Sequence, residues 1–180
     1  MSDTKVPEPT LQSAVQHSLM PSIASELEDA KPGHVRCVVV TPEKAVLDKT
    51  VEMVILPMFD GELGVLHGRA PLIGRLGAGE LRLKTGAAVE RWFVEAGFVQ
   101  VRSNVVTVLT SKAVPAGAVT AAMADQARTE AEALPYGNAA ERANKANARD
   151  RAAGLKKVAG RNAAAGAPEA RTASPGGHPA

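Results

Sequence analysis

Turn-forming dipeptides cut residues 34–111 into short apolar segments, and this punctuation constrains the fold more than any other feature of the chain. The apolar segments cover residues 34–40, 51–56, 81–83, 89–94, 98–101 and 105–109. The turn signals between them are Thr41-Pro42, Asp60-Gly61, His67-Gly68, Gly77-Ala78-Gly79, Thr85-Gly86, Ala96-Gly97 and Ser103-Asn104. Short strands separated by such turns predict an all-β sandwich or barrel.

The hydrophobic core is expected in the same region. Val35, Cys37 and Val39 recur at a spacing of two, which places them on one face of a strand. Four of the five aromatic residues also fall here, namely Phe59, Trp92, Phe93 and Phe98. Cys37 is the single cysteine, so an internal disulfide is excluded, and its position among valines indicates a buried core residue rather than a nucleophile.

Alanine-rich segments of helical periodicity follow the predicted strands. They cover residues 119–134 and 139–158, and Pro135 and Gly137 separate them. Two helices joined by so short a connection are expected to lie antiparallel, as a hairpin. A contact stripe made mostly of alanine buries little area, so we expect the hairpin to open more easily than the sandwich unfolds.

Composition divides the chain into four parts. We expect a flexible N-terminal extension over residues 1–33, a β-sandwich over 34–112, a helical hairpin over 113–160 and a disordered tail over 161–180. The extension is acidic and contains no Arg. It permits short helices over residues 11–19 or 22–30, and the sequence indicates no function for it.

Several functional classes are excluded or disfavoured by composition. Twenty-one Lys and Arg against 19 Asp and Glu do not suit a strongly basic nucleic-acid binder. No apolar run approaches the roughly 20 residues that cross a bilayer, so direct membrane insertion is not expected. The sequence contains no His/Cys cluster at ligand spacing, no phosphate-binding loop and no nucleophile–base pair. We therefore predict no catalytic residue, no metal and no cofactor.

The strongest charge signal lies in the second predicted helix. Residues 141–161 carry seven bases against Glu141 and Asp150. Such a helix either presents a solvated face or docks onto an acidic protein surface, and both interpretations remain open. The docking candidates are Arg142, Lys145, Arg149 and Arg151.

Four motifs in order carry a family resemblance. They read VVVTPE at 38–43, GELGVLHGRAPL at 61–72, FVEAGFVQV at 93–101 and VVTVL at 105–109. Together they resemble the epsilon subunit of the F-type ATP synthase, whose members typically read G-E-L-G-[VI]-x-P-G-H-A-P-L in the second motif. The resemblance covers residues 35–110.

The resemblance implies a fold and a role. The fold is a flattened sandwich of about ten strands followed by a helical hairpin. The role is that of a non-catalytic rotor subunit that grips the gamma subunit, rests on the membrane ring and couples proton flow to ATP synthesis. It implies a peripheral location on the cytoplasmic face of the bacterial inner membrane. It also implies that the hairpin can reach the catalytic alpha and beta subunits and restrain ATP hydrolysis.

Residue-level implications of the resemblance concern two segments. Residues 61–72 are expected to form a ring-facing or shaft-facing loop, with Glu62, His67 and Arg69 as contacts. Many relatives begin the first helix with [IL]-D-x-x-R-A, whose Asp and Arg belong to an ATP site in some members. Thr120 and Met123 stand in their place here, which predicts no ATP binding.

The alternative function is a standalone β-sandwich that binds a small ligand.

Overall fold

A computed structural model describes residues 32–166 of the chain. Ten strands lie in this range: β1 Val35–Val40, β2 Ala45–Val51, β3 Met53–Met58, β4 Gly61–Leu66, β5 Leu72–Leu76, β6 Gly79–Thr85, β7 Ala88–Val94, β8 Gly97–Arg102, β9 Val105–Thr110 and β10 Ala113–Pro115. A 3₁₀ turn at Ala116–Ala118 leads into helix α1, Ala121–Ala133, and helix α2, Ala139–Gly166. The predicted order of a sandwich followed by a helical hairpin is confirmed.

The strands form one sheet that folds back on itself around a core. Their order is β10-β7-β6-β3-β5-β8-β9-β1-β2, with β4 paired to β3. β1 runs parallel to β9, whereas the other paired strands described are antiparallel. Lys49 on β2 and Glu90 on β7 form an ion pair of 2.6 Å, which ties one edge strand of the sheet to its other half.

The core is aliphatic. Val35, Cys37 and Val39 are at most 1% exposed, as their spacing predicts. Of the four aromatic residues expected in this core, Trp92 packs against it, whereas the three phenylalanines do not. Phe93 is buried in a second cluster beneath the hairpin, while Phe59 and Phe98 are 61% and 59% exposed. Strand alternation explains Phe98, because Val99 and Val101 on the same strand occupy the inward positions.

One predicted loop is a strand. Residues 61–66, which the sequence assigns to a glycine-rich loop, pair with β3 along its whole length as β4. Gly64 makes no turn; a Cβ at this position would stand 2.8 Å from the terminal methyl of Met53. The glycine therefore admits a packed side chain from the neighbouring strand. Sequence alone does not distinguish this use of glycine from a turn.

The helical hairpin begins and ends at different residues from those predicted. α1 starts after Thr120, whose hydroxyl caps the helix by accepting from the backbone N–H of Met123. β10 lies in the segment 113–160, which the sequence assigns to the hairpin. α2 continues to Gly166, so residues 161–166 are helical rather than part of a disordered tail. Residues 1–31 of the predicted extension and 167–180 of the predicted tail lie outside the described residues.

Contacts with the sandwich explain the extra length of α2. The side-chain amide of Asn162 donates to the carbonyl of Ala116 at 2.6 Å and accepts from Arg91 at 3.2 Å. Arg161 pairs with a carboxylate on β6. These partners are far from α2 in sequence, so the alanine- and glycine-rich composition of residues 159–166 does not reveal them.

Candidate functional site

The interface between α2 and the sandwich is built on opposite charges. Arg151 Nε lies 2.8 Å from Glu95 Oε1, and Lys157 Nζ lies 3.9 Å from Glu62 Oε1. Arg161 donates a hydrogen bond to Glu80. Three bases along one helix thus meet three carboxylates of the sandwich. Part of the charge of the basic helix is therefore used within the chain, while Arg149 and Lys156 of the same helix are exposed.

Glu80 is the most buried carboxylate of this interface. The residue is 4% exposed and lies on β6 opposite Phe93 of β7. Its Oε2 accepts from Arg161, while Oε1 is 3.5 Å from Arg91 Nη1. A charge removed from water is tolerated only when it is paired, and removal of one partner is costly. The position of Arg161 is therefore tied to the docked state of the helix.

Apolar packing supports the same docked position. Phe93, Val119, Leu155 and Val158 are at most 3% exposed and form one cluster with the buried alanines of both helices. The expected alanine seam is thus reinforced by larger side chains from the sandwich and from α2. The hairpin is held more firmly than an alanine stripe alone predicts.

Gly154 sets how closely α2 approaches the sandwich. A Cβ on Gly154 would stand 2.6 Å from the carbonyl oxygen of Ala78, in the turn between β5 and β6. Backbone atoms cannot move aside as a flexible side chain does. The sequence indicates only that this glycine weakens the helix, whereas the structure shows that it permits the contact.

The four predicted docking bases have different surroundings. Arg142 donates to the carbonyl of Gly137 at 3.2 Å. Lys145 donates to the last carbonyls of α1, on Glu132 and Leu134, at 2.8 and 2.6 Å. It thereby satisfies groups that a helix end leaves unpaired. Arg142, Lys145 and Arg151 therefore all contact groups within the chain.

Arg149 differs from the other three predicted bases. It is exposed and lines a groove between the two helices with Arg128 and Lys156. The walls of this groove include Ala124 and Ala152. Among the four candidates, Arg149 is the one whose charge is best placed to meet another protein while the hairpin stays docked.

The predicted contact residues Glu62, His67 and Arg69 do not form one cluster. Glu62 lies near the start of β4, where Arg82 donates a hydrogen bond to it and Lys157 approaches it. It is therefore not the lone loop carboxylate that the sequence suggests. His67 and Arg69 are exposed in the turn after β4, about 16 Å farther along the strand direction.

The turn that carries His67 and Arg69 lies at the end of the sandwich remote from the hairpin. Gly68 has φ +78° and donates its N–H to the side-chain oxygen of Asn104 at 2.8 Å. Asn104 itself has φ 62°. This bond joins the turn after β4 to the turn between β8 and β9. It holds two exposed side chains on a defined surface.

The structure also shows an exposed apolar surface on strands β5, β8 and β9. Ile73 on β5, Phe98 on β8 and Leu109 on β9 are 78%, 59% and 51% exposed. Phe98 pairs with Leu109 across the strands, and Phe59 lies beside them under the guanidinium of Arg75, at 4.5 Å. We call these four apolar residues the apolar face. Ile73, Phe98 and Leu109 lie on strands of the sheet away from the hairpin, while Phe59 also borders a cavity lined by Gly154 and Lys157 of α2.

A sequence signal for the apolar face exists but is easily missed. Val99 and Val101 mark the inward positions of their strand, so Phe98 must point outward. The same alternation around Val106 and Val108 turns Leu109 outward. Large apolar residues at outward positions of adjacent strands indicate a surface that meets a partner.

Other chemistry-bearing groups have structural roles. Burial raises the pKa of the Cys37 thiol to about 12, with a smaller contribution from the charge of Asp48, so this thiol is not an activated nucleophile. The hydrogen bonds from Arg36 lower the pKa of Asp48. The hydrogen bond from Lys49 is the main cause that lowers the pKa of Glu90. Residues 32–166 contain no group of three His, Cys, Asp or Glu arranged to hold a metal ion.

The region of the expected ATP motif holds a small cavity. Its volume is about 150 Å³, and Met123, Lys112, Glu95 and Arg151 are among its lining residues. Thr120 serves instead as the N-cap of α1. The absence of ATP binding stays a prediction from these substitutions.

These features define a β-sandwich with a docked C-terminal helical hairpin, and known proteins share both its fold and its motifs. Residues 34–116 match the family model described as ATP synthase, Delta/Epsilon chain, beta-sandwich domain. An ATP synthase epsilon chain of Rhodopirellula baltica is 62% identical over 81 residues, which are 45% of this chain and 63% of that relative. One of Granulibacter bethesdensis is 40% identical over 96 residues, or 53% of this chain and 71% of the relative. The chain belongs to the ATP synthase epsilon chain family, as its motifs predict.

Solved structures share the fold at low sequence identity. A chain of the Euglena gracilis mitochondrial ATP synthase, in an OSCP/F1/c-ring structure, superposes with a TM-score of 0.61 at 21% identity, covering 87% of this chain and 98% of that one. A chain of the Tetrahymena thermophila mitochondrial ATP synthase central stalk and c-ring superposes at 0.57 with 14% identity, covering 69% and 96%. Family membership favours a subunit of this complex over a standalone small-ligand-binding sandwich.

Proposed function

We propose that the chain is a non-catalytic rotor subunit in the central stalk of an F-type ATP synthase, where it couples proton flow through the membrane ring to ATP synthesis. The observation that carries the proposal is the apolar face on a sandwich of this family. Ile73 and Phe98 are large apolar side chains that remain mostly exposed in the chain by itself. Such a surface marks a protein interface. Its partner is the gamma subunit.

The contact with the membrane ring uses an end of the sandwich. The turn with His67 and Arg69 is exposed and braced by Asn104, which suits it to meet a protein surface. Glu62 forms ion pairs with Arg82 and with Lys157 of α2. It therefore affects the ring contact through the position of the hairpin rather than by touching the ring. No helix within residues 32–166 is both long and apolar enough to cross a membrane. The subunit is peripheral, on the cytoplasmic face of a bacterial inner membrane.

The hairpin restrains ATP hydrolysis by meeting the catalytic alpha and beta subunits. The exposed bases of the groove between the two helices, including Arg149 and Lys156, are the side chains that an acidic surface would attract. The chain performs no bond chemistry of its own, takes no cofactor and does not bind ATP. The replacement of the motif's Asp and Arg by Thr120 and Met123 supports the last point, because charge-assisted contacts to a nucleotide are lost.

Co-isolation of the native complex tests the rotor role. The tagged full-length protein should retrieve gamma and ring subunits from solubilised membranes. Phe98→Asp should abolish retrieval of gamma, because it puts a charge at the centre of the apolar face. Val89→Asp is the matched control, since Val89 is 47% exposed but lies on β7, away from this face. Equal retrieval by both variants would remove the apolar face from the gamma interface, and retrieval of neither subunit by the unaltered protein would refute the rotor role.

A further inference from the structure

The end of the sandwich remote from the hairpin carries bases that the fold does not neutralise. Arg69 lies in the turn after β4, Lys84 is the penultimate residue of β6, and Arg102 is the last residue of β8. We call these three bases the basic end, and we propose that it binds the anionic headgroups of a phospholipid bilayer. The contact adds the lipid beside the membrane ring to the partners of this subunit.

Two of the bases lie on neighbouring turns. The backbone N–H of Gly68 donates to the side-chain oxygen of Asn104 at 2.8 Å, which joins the turn after β4 to the turn between β8 and β9. Arg69 follows Gly68 directly, Arg102 is two residues before Asn104, and both are exposed. The family motif has His at the position of Arg69, so this chain carries a permanent charge in place of a titratable group. Two adjacent guanidinium groups suit phosphate oxygens.

An exposed leucine and Lys84 extend this surface. Leu66 is 54% exposed, and its carbonyl accepts from the backbone N–H of Arg69 at 3.2 Å, which closes the turn. Met53 of β3 pairs with Leu66 on one side and with Lys84 on the other. Lys84 therefore lies about 10 Å from Leu66 by the usual strand spacing. A large apolar side chain among bases suits the boundary between lipid headgroups and acyl chains.

The basic end keeps its charge in the folded chain. None of its three bases forms an ion pair within residues 32–166. Other charged residues near this end pair with one another, namely Arg36 with Asp48 and Lys49 with Glu90. Glu52 also lies there, and its carboxylate accepts from a backbone N–H of the turn between β6 and β7. The positive charge is therefore available to an anionic surface.

The spread of the bases favours a membrane over a protein loop. Lys84 lies on β6 and Arg102 on β8, with β3 and β5 between these strands in the sheet order. A layer of phosphates can contact all three bases at once, whereas a compact acidic loop can reach only adjacent ones. Each base at an anionic bilayer raises binding by about fivefold. Three bases and one exposed leucine therefore give a reversible attachment, which suits a peripheral subunit.

Vesicle co-sedimentation of the isolated full-length protein tests this proposal and is independent of the rotor role. The probes are vesicles of equal parts phosphatidylglycerol and phosphatidylcholine, and vesicles of phosphatidylcholine alone. Lys84→Gln with Arg102→Gln removes two charges from the basic end. Lys44→Gln with Lys112→Gln is the matched control, because it changes the net charge equally through exposed lysines at the opposite end of the sandwich.

The unaltered protein should bind only the vesicles that contain phosphatidylglycerol. The first variant should bind them about 25-fold more weakly, at about fivefold for each base, while the control variant keeps most of the binding. Equal losses in the two variants would show attraction by net charge alone and would overturn the proposal.

Two further outcomes assign the basic end to another partner. Release from the vesicles by millimolar inorganic phosphate would indicate a site for a single phosphate group rather than for a bilayer surface. No binding to the vesicles, with loss of ring subunits from the complex isolated with the first variant, would assign the bases to a protein surface. Either result would overturn the proposal, whereas retrieval of gamma by the unaltered protein is measured separately and tests only the rotor role.

Discussion

Arg161, near the C-terminal end of α2, donates a hydrogen bond to the buried carboxylate of Glu80 on β6, 81 residues away in the sequence. The side chain of Glu80 is 2% exposed, while that of Arg161 is 36% exposed. A buried charge and a partly exposed partner thus join the hairpin to the sandwich. Because the partner belongs to the hairpin, release of the helix leaves Glu80 with less compensation, and the contact opposes release.

The first prediction removes this contact. Arg161→Ala should destabilise the docked hairpin by about 1–3 kcal/mol, because a buried acceptor loses its charged donor. Amide hydrogen exchange in α1 and in the C-terminal half of α2 should accelerate, while exchange in β1 and β9 stays unchanged. Lys156→Ala is the matched control, since Lys156 is an exposed base on the same helix. Equal exchange in the two variants would contradict the anchoring role of Arg161.

A second prediction compares two glycines of α2. Gly154→Ala should destabilise the protein, because the added Cβ would stand 2.6 Å from the carbonyl of Ala78. Gly160→Ala should stabilise it by about 0.5–1 kcal/mol, since helix propensity favours alanine. No neighbouring atom lies within 4 Å of the Cβ that this change would add. Thermal unfolding of both variants measures the difference. Stabilisation by both changes would show that α2 does not approach the turn closely.

The third prediction follows from the Cys37 thiol. Burial raises its pKa from 9.0 to about 12, so the folded state favours the protonated form. The resulting contribution to stability is complete below about pH 9 and is lost as the pH rises toward 12. The free energy of unfolding of the unaltered protein should therefore fall relative to that of Cys37→Val across this window. Parallel pH curves for the two proteins would argue against a buried, protonated thiol.

A fourth prediction separates the two ends of β4. Glu62→Lys places a base against Arg82 and Lys157, so it should accelerate hydrogen exchange in α2. Arg69→Glu changes an exposed turn at the far end of the sandwich. It should leave exchange in α2 unaltered while weakening proton-coupled ATP synthesis in membrane vesicles. If Arg69→Glu loosens the hairpin, or if coupling depends on Glu62 alone, the ring contact at the His67–Arg69 turn is wrong.

The fifth prediction concerns the restraint of ATP hydrolysis. Truncation after Ala116 should raise hydrolysis by the assembled enzyme, but it also uncovers Phe93, which is 1% exposed in the docked state. The double variant Arg149→Gln, Lys156→Gln avoids this exposure of Phe93, because both bases line the groove between the two helices. This variant should reproduce part of the rise, and the difference should vanish in 1 M salt, where the Debye length is about 3 Å. If hydrolysis at low salt equals that of the unaltered enzyme, these bases face only solvent and do not restrain hydrolysis.

Local patterns in the sequence were sufficient for the type and order of most elements. Val35, Cys37 and Val39 alternate at the period of a strand, and the change to helical spacing after residue 118 marks the hairpin. Both signals are repeated over many residues, because each reports one buried side of an element. The four family motifs are likewise local, and they sufficed to identify the family.

Only the tertiary structure decided what individual polar and glycine residues do. Glu62 and Gly64 sit in a segment that reads as a turn, and pairing with β3 makes it a strand. β3 directly precedes β4 and pairs with it as a hairpin, but the glycines of this segment look the same in the sequence whether they form a turn or admit a packed side chain such as that of Met53.

The same reason applies to the charges of α2 and to the apolar face. A base in a helix looks identical in the sequence whether it faces water or Glu80, and only the folded chain brings the two within bonding distance. Aromatic character favours burial of Phe98 in the core, but its place in the alternation of β8 turns it outward. Composition indicates how much apolar surface a chain can bury, whereas packing decides which side chains are left for a partner.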